Sequence, residues 1–344
     1  DGWIGVNQYG LIASIVSDVL DGGTPKIYDI HAQAQAQRLL TTPSHLAYVR
    51  IAEGCDLRCS YCAIPAIRGH YRSRPMEDIE AECCQLASMG VKELVLVAQD
   101  SSYYGRDLYG SFRLAELLLR LGRCKVPWIR VLYTYPERID EALLHAMETA
   151  GNVIAYLDMP LQHIDSDILK NMGRPMTQEG IESLLMRIRQ RKTQFTLRTT
   201  LIAGFPGENE AQHEKLLQFV GRGLFDHVGV FGFSREEGTR AATMDGQTDL
   251  RTIQRRVRAL KRAAQTAAAT QKADRIGSTV EAIIESVGQT GQGIGRTLWQ
   301  APEVDGVIRV TGCGKEQIGN IIRCRITGAN AYDFIGEYTY DAGK

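Results

Sequence analysis

The sequence predicts an α/β protein, a partial six-stranded β/α barrel followed by a small all-β barrel. Three observations predict it. From residue 46 onward six apolar runs rich in β-branched residues alternate with helix-period segments. Polar residues gather at the carboxyl ends of those runs. After residue 278 the helical periods stop, and short strand-like runs parted by glycines replace them.

The strand runs are LAYVRIAEG (46–54), KELVLVAQD (92–100), WIRVLYTY (128–135), VIAYLDMPLQ (153–162), FTLRTTLIAGF (195–205) and DHVGVFGFS (226–234). Each is apolar nearly throughout, as strands of a parallel sheet buried on both faces are. Between them MEDIEAECCQLASMG, FRLAELLLRLG, IDEALLHAMETAG and NEAQHEKLLQFVG read as helices, several ending in a glycine suited to a C-cap. A site drawn from many strand ends is the habit of a barrel, whereas a doubly wound sheet concentrates it at one switch point. Here Glu53, Gln99 with Asp100, Tyr133 with Thr134, Gln162 with His163, the GFPGE turn and Ser234 all lie at strand ends.

Residues 46–273 form the expected barrel domain, ending in one long helix from Arg251. That helix carries Arg251, Arg255, Arg256, Arg258, Lys261 and Arg262 with no acid before Asp274, either a solvated face or an electrostatic contact with an acidic neighbour or nucleic acid. Residues 274–344 form the small barrel. Residues 1–45 hold one amphipathic segment and a linker-like stretch, HAQAQAQRLLTTPSH, too little to build a core.

With 44% hydrophobic and 23% charged residues, the composition is that of an ordinary soluble protein. No run reaches the roughly 18 apolar residues of a membrane span, and no signal segment opens the chain, so a cytoplasmic protein without a membrane partner is expected. The start at Asp1 suggests a fragment or processed product.

Three of the eight cysteines crowd into EGCDLRCSYCAIP, at Cys55, Cys59 and Cys62. The other five, Cys83, Cys84, Cys124, Cys313 and Cys324, read as buried packing residues. A structural zinc site wants four ligands, usually as two short pairs. His70 could serve as a fourth, which leaves a non-catalytic zinc module as one reading. An electron-transfer cluster would normally bring four cysteines, and Pro65 arrives without a fourth.

The C-x3-C-x2-C spacing, with aromatic Tyr61 before the last cysteine and a first barrel strand just upstream, resembles the radical SAM enzymes. In that family the three cysteines hold a 4Fe-4S cluster whose open iron chelates S-adenosyl-L-methionine (SAM). EGCDLRCSYCAIPAIRGHYRSRP, VAQDSSYYG, YLDMPLQH, LRTTLIAGFPGE and FSREEGTRAA further resemble the methylthiotransferases of that family. IGRTLWQAPEVDGVIRV resembles the branch acting on an aspartate of a small-subunit ribosomal protein.

The resemblance implies Cys55, Cys59 and Cys62 as cluster ligands. It places Tyr61, Gln99, Asp100, Gln162, His163, Arg198, Gly204, Pro206, Gly207, Glu208 and Ser234 around SAM. It makes 274–344 a TRAM domain and implies a ribosomal protein substrate, an electron donor such as flavodoxin, and a monomer. A second 4Fe-4S cluster is expected only in a full-length parent, because no cysteine precedes Cys55 and residues 1–45 look like the remnant of the domain that would carry it.

Within the same family, a tRNA adenosine methylthiotransferase is the alternative. Asp274–Lys344 carries seven Lys and Arg against nine acids, a net of −2, which suits a basic ribosomal protein better than phosphates. Glu303 and Asp305, in what reads as an exposed turn, would steer that partner. GQGIGR (291–296) lies between short strands and reads as a hairpin, not a nucleotide loop. HEKLL (213–217) lacks the second histidine of a zincin.

Overall fold

The computed structural model describes residues 2–5, 9–27 and 40–339. Six parallel strands follow in chain order: β1 (Leu46–Arg50), β2 (Glu93–Val97), β3 (Trp128–Val131), β4 (Tyr156–Asp158), β5 (Thr196–Ala203) and β6 (His227–Gly232). β1, β2 and β3 pair in parallel register, as do β4, β5 and β6. A single parallel bridge, Ile129 to Val153, joins the two halves into one partial barrel.

The helices that alternate with or follow these strands are α1 (Met76–Ser88), α2 (Leu114–Leu121), α3 (Glu141–Thr149), α4 (Ser166–Met172), α5 (Gln178–Arg189), α6 (Glu210–Gly221) and α7 (Leu250–Ala273), beside two short ones, Ile64–Arg68 and Arg106–Tyr109. Local chemistry starts them: Asp140, Asp165, Thr177 and Asn209 each accept N-terminal backbone N–H groups through their side chains. α4 and α5 both fall between β4 and β5, where only one crossover helix is needed. In α7, Arg256 is buried and donates to the Glu208 carbonyl at 2.8 Å, and Arg255 forks onto Glu210 at 2.8 and 2.9 Å. Part of the basic run therefore fastens the helix to the barrel.

Strand alternation divides the core. Ala47, Val49, Leu94, Leu96, Ile129, Val131, Leu157 and Leu197 pack outward against the helices. The alternate residues Leu46, Val95, Trp128, Ile154 and Tyr156 face inward and meet Ile283 and Ala301 of the carboxy-terminal domain. That domain is a closed barrel of β7 (Thr279–Val287), β8 (Gly293–Thr297), β9 (Ile308–Thr311), β10 (Ile321–Ala329) and β11 (Phe334–Tyr338). GQGIGR does lie in the β7–β8 hairpin, whose register pairs Val287 with Gly293.

The domain caps the amino-terminal half of the inner barrel face through buried charge. Glu93 pairs with Arg130 at 2.8 Å and with Arg296 at 2.7 Å, and Arg296 reaches Glu285 at 2.7 Å. Arg198 bridges Asp158 at 2.8 Å and Asp305 at 3.3 Å, while Tyr156 donates to Asp305 and His227 bonds the Trp299 carbonyl at 2.7 Å. Asp305 also accepts the Ala301 N–H at 2.9 Å. The reading of Asp305 as an exposed, steering acid is thus corrected: it is buried in the seam between domains, and Glu303 beside it is exposed.

In the first residues Trp3–Ile4 pairs in parallel with Lys26–Ile27 across a helix, Ile12–Leu20. Most of the linker-like stretch, residues 31–39, lies outside the described residues. Among the described residues no helix is long and apolar enough to cross a membrane.

Candidate active site

The cysteine loop begins where the first strand run ends. Ala52–Glu53 pairs antiparallel with Arg72–Ser73, and the loop between them folds over the carboxyl end of the barrel. Gly54 makes the bend at φ +83°, and a Cβ there would stand 2.1 Å from the His70 carbonyl oxygen, so only glycine fits. The Cys55 N–H donates to the Gly69 carbonyl at 3.2 Å. Further along, the Ser60 N–H donates to Met172 at 2.9 Å and its carbonyl accepts from Ala241 at 2.7 Å. Gly173, the αL cap of α4, lies so close that a Cβ would meet the Arg58 carbonyl at 2.9 Å. The loop has no regular secondary structure between Gly54 and Ser60, yet it is fastened at three points.

All three thiols are free; Cys55 and Cys59 are buried and Cys62 half-buried. Burial pushes the Cys55 thiol up to about 11, Asp100 adding to the effect, and burial also raises Cys62. Cys59 acts electrostatically on both neighbours, so the three sulfurs share one neighbourhood. Among the described residues no three His, Cys, Asp or Glu side chains converge as ligands of a single ion. A four-iron cluster instead takes each cysteine on a different iron and needs only thiols opening on common space, so this donor set fits one.

The expected SAM neighbours divide into groups. Tyr61 donates from its hydroxyl toward Cys59 and packs its ring among Ile168, Met172, Phe205 and Ala241. Gln99 donates to Glu53 at 3.2 Å and has a buried carbonyl oxygen without a partner. Gln162, at φ +72°, is nearly buried. Asp100 is buried and held by Arg138 and by Ser102 at 2.6 Å, with burial raising its carboxyl and Arg138 opposing. His163 is fully buried, accepts the Asp165 N–H at 3.0 Å, and leaves Nε2 without a partner. Burial lowers it to about 4 against the raising effect of Glu208, so it is neutral near pH 7.

The GFPGE turn is self-contained. Glu208 accepts the Phe205 N–H at 3.1 Å and the Gly204 N–H, and its backbone carbonyl is the one Arg256 binds. Gly204, at φ +78°, leaves no room for a Cβ beside Ile253. Pro206 is buried, and Gly207, exposed at φ +82°, donates to the Gly246 carbonyl at 2.9 Å. Two residues stand apart from the cysteines. Arg198 is engaged in the interdomain seam by its two carboxylates, and Ser234 is exposed and donates to Glu236 at 2.7 Å.

The sequence reading missed Arg174. It follows Gly173 against the cysteine loop, stacks over Tyr135 at 4.1 Å, and donates from Nη2 to the Pro160 carbonyl at 3.0 Å. Its side chain is almost wholly buried, yet Nη1 has no partner. Burial works against its charge, and the Glu137 carboxylate, 3.7 Å from Nη2, is the largest effect opposing it. A buried cation with a spare donor against the cysteine loop, near Cys59, suits an anionic ligand. Its signal in sequence was the Gly-Arg pair that closes α4.

Comparison with known families agrees with this geometry. Residues 49–220 match the model of the radical SAM superfamily, and residues 276–338 match the TRAM domain. The chain is 44% identical over 314 residues to the ribosomal protein uS12 methylthiotransferase RimO of Desulforamulus reducens, covering 90% of this chain and 70% of that protein. It is 48% identical over 307 residues to RimO of Gloeobacter violaceus, covering 89% of this chain and 70% of that one. Among solved structures, Escherichia coli coproporphyrinogen III oxidase (HemN) aligns at a TM-score of 0.47 and 17% identity, over 83% of this chain and 67% of that one.

A barrel with a three-cysteine loop at the carboxyl ends of its strands and a superfamily match across it define a radical SAM enzyme. Its cofactors are a 4Fe-4S cluster and SAM. Within that superfamily the chain belongs to the RimO family of methylthiotransferases, which makes it a transferase.

Proposed function

We propose that this chain acts on ribosomal protein uS12 and places the methylthio group on an aspartate side chain. The observation that carries the proposal is its identity of 44% and 48%, over most of its length, with uS12 methylthiotransferases. The structure supports it by leaving the carboxyl end of the barrel for the reaction, since the TRAM domain occupies the opposite half of the inner face.

Cys55, Cys59 and Cys62 hold the cluster. When bound, the cluster and SAM supply the radical that removes a hydrogen atom from the substrate. The chain's own residues position and shield. Gln99 and Gln162 offer polar contacts at two strand ends, and Arg174 offers its unpartnered Nη1 to the SAM carboxylate. Tyr61 and its apolar neighbours keep water from the cysteine loop. Asp100, His163, Gly204, Pro206, Gly207 and Glu208 act from behind by fixing the strand ends. Electrons come from a carrier such as flavodoxin, and the working unit is a monomer.

The test uses the anaerobically reconstituted chain with SAM, a reductant and uS12 carrying deuterated aspartate. Deuterium should appear in the released 5′-deoxyadenosine. Transfer from deuterated adenosine of tRNA, with none from uS12, would overturn the reading in favour of the RNA substrate.

A further inference from the structure

Outside the active site, the structure brings together two cysteines that the sequence reading assigned to packing. Cys84, on α1, and Cys124, in the turn after α2, are 40 residues apart, and their sulfurs lie 3.0 Å from each other. All eight cysteines lie within the described residues, and among them Cys84 alone is exposed; Cys124 is buried beneath it. The backbone around Cys124 is fixed, its N–H donating to Leu121 at 2.9 Å and its carbonyl accepting from Asn152 at 3.1 Å. Closing to a disulfide's roughly 2.05 Å therefore needs a movement of about 1 Å, within reach of side-chain rotation. Cys83, next to Cys84, is wholly buried in the core cluster that also holds Cys124.

We infer that Cys84 and Cys124 form a modification site, a dithiol that low-molecular-weight disulfides convert reversibly into an intramolecular disulfide. The exposed Cys84 thiolate attacks one sulfur of the disulfide, breaking its S–S bond and expelling one thiolate. Cys124 then releases its proton to solvent and attacks the Cys84 sulfur, expelling the second thiolate. The two protein thiols give up two electrons and two protons, and the small disulfide is reduced to two thiols. Burial and the hydrogen bond with Cys84 raise the Cys124 thiol to about 12, which assigns the first attack to Cys84. The cross-link would tie α1 to the turn leading into β3, on the outer wall of the barrel and away from the cluster cysteines.

The experiment equilibrates the cluster-loaded chain anaerobically with oxidised and reduced glutathione, followed by mass spectrometry of unreduced peptides. The parent should yield a Cys84–Cys124 cross-link, reversed by dithiothreitol, with no lasting glutathione adduct. Cys124→Ala should retain glutathione at Cys84, and the surface change Cys84→Ser should abolish both products. Cys83→Ala should cross-link like the parent. A lasting glutathione adduct in the parent, a cross-link through Cys83, or no modification would each overturn the inference.

Discussion

The two ends of the barrel are built on opposite terms. At the amino end charges meet charges: Glu93, Arg130, Arg296 and Glu285 form one buried chain, and Asp158, Arg198 and Asp305 form another. At the carboxyl end, buried polar atoms on Gln99, His163 and Arg174 lack partners; spare nitrogens of Arg130 and Arg296 do so in the seam as well, but there each guanidinium is already paired with a carboxylate at 2.7–2.8 Å. Paired buried charges specify how two domains dock, and losing one partner strands the other. Unpaired donors in a dry place cost stability and are a common mark of a binding site. One end of this barrel is closed by charge pairs of its own chain, while the other keeps spare polar atoms near the cysteine loop.

The largest effect expected from breaking the contrast is at the carboxyl end. Cys59→Ala should bring iron to background and abolish 5′-deoxyadenosine formation, because two thiolates do not retain the cluster. Iron content and SAM cleavage at parental levels would remove these cysteines from the ligand set. Next comes the amino end. Asp305→Ala removes the acceptor of Tyr156 and the Ala301 N–H and one partner of Arg198, and should cost about 3–5 kcal/mol. Urea denaturation reads this directly, and a loss under about 1 kcal/mol would mean that the seam is not interior. Asp305→Asn, which keeps one acceptor, should lose less.

His163 sharpens the contrast through pH. Its folded value of about 4 lies below its ordinary 6.5 because burial disfavours the imidazolium. Between those values the unfolded chain binds a proton that the native state refuses. Stability is therefore fully present above pH 6.5 and declines as pH falls toward 4, by about 3 kcal/mol in total. Comparing urea midpoints at pH 7 and pH 4.5 for the parent and His163→Gln isolates this share, since the other histidines are common to both. An identical slope in the two proteins would refute it.

The smallest effect belongs to the rim of the amino end. Glu303 is exposed, so Glu303→Lys should shift stability by no more than about 0.5 kcal/mol. If the TRAM surface meets a basic ribosomal protein, the same change slows association with uS12, more at low salt than at high salt. Equal association rates at both salt concentrations would show that this face does not steer the substrate.

Much of the fold was legible because the barrel repeats itself: each strand run alternates with a helical period, and the strand ends carry the polar residues. The same grammar is present at α4 and α5, where Asp165 and Thr177 cap and Gly173 closes, although no helix was expected between the fourth and fifth strand runs. Asp305 was misread for a different reason. APEVDG has the composition of a surface turn, and its burial comes from Tyr156 and Arg198, more than 100 residues away in sequence. Cys84 was misread for a similar reason, since its exposure and its neighbour depend on how α1 lies beside α2. The cysteine triple stood out because its spacing is local, whereas Arg174 acquires its place only through the packing of α4 on that loop.

The inner barrel face has a consequence for how the molecule comes into being. Leu46, Val95, Trp128 and Tyr156 are covered by residues such as Ile283 and Ala301, which leave the ribosome long after the strands that they cover. During synthesis the inner barrel face stays open to water until the later-emerging β7–β11 barrel closes it. A nascent chain halted before β7 would therefore be a client for chaperones, and docking of the β7–β11 barrel would act as a checkpoint of biogenesis.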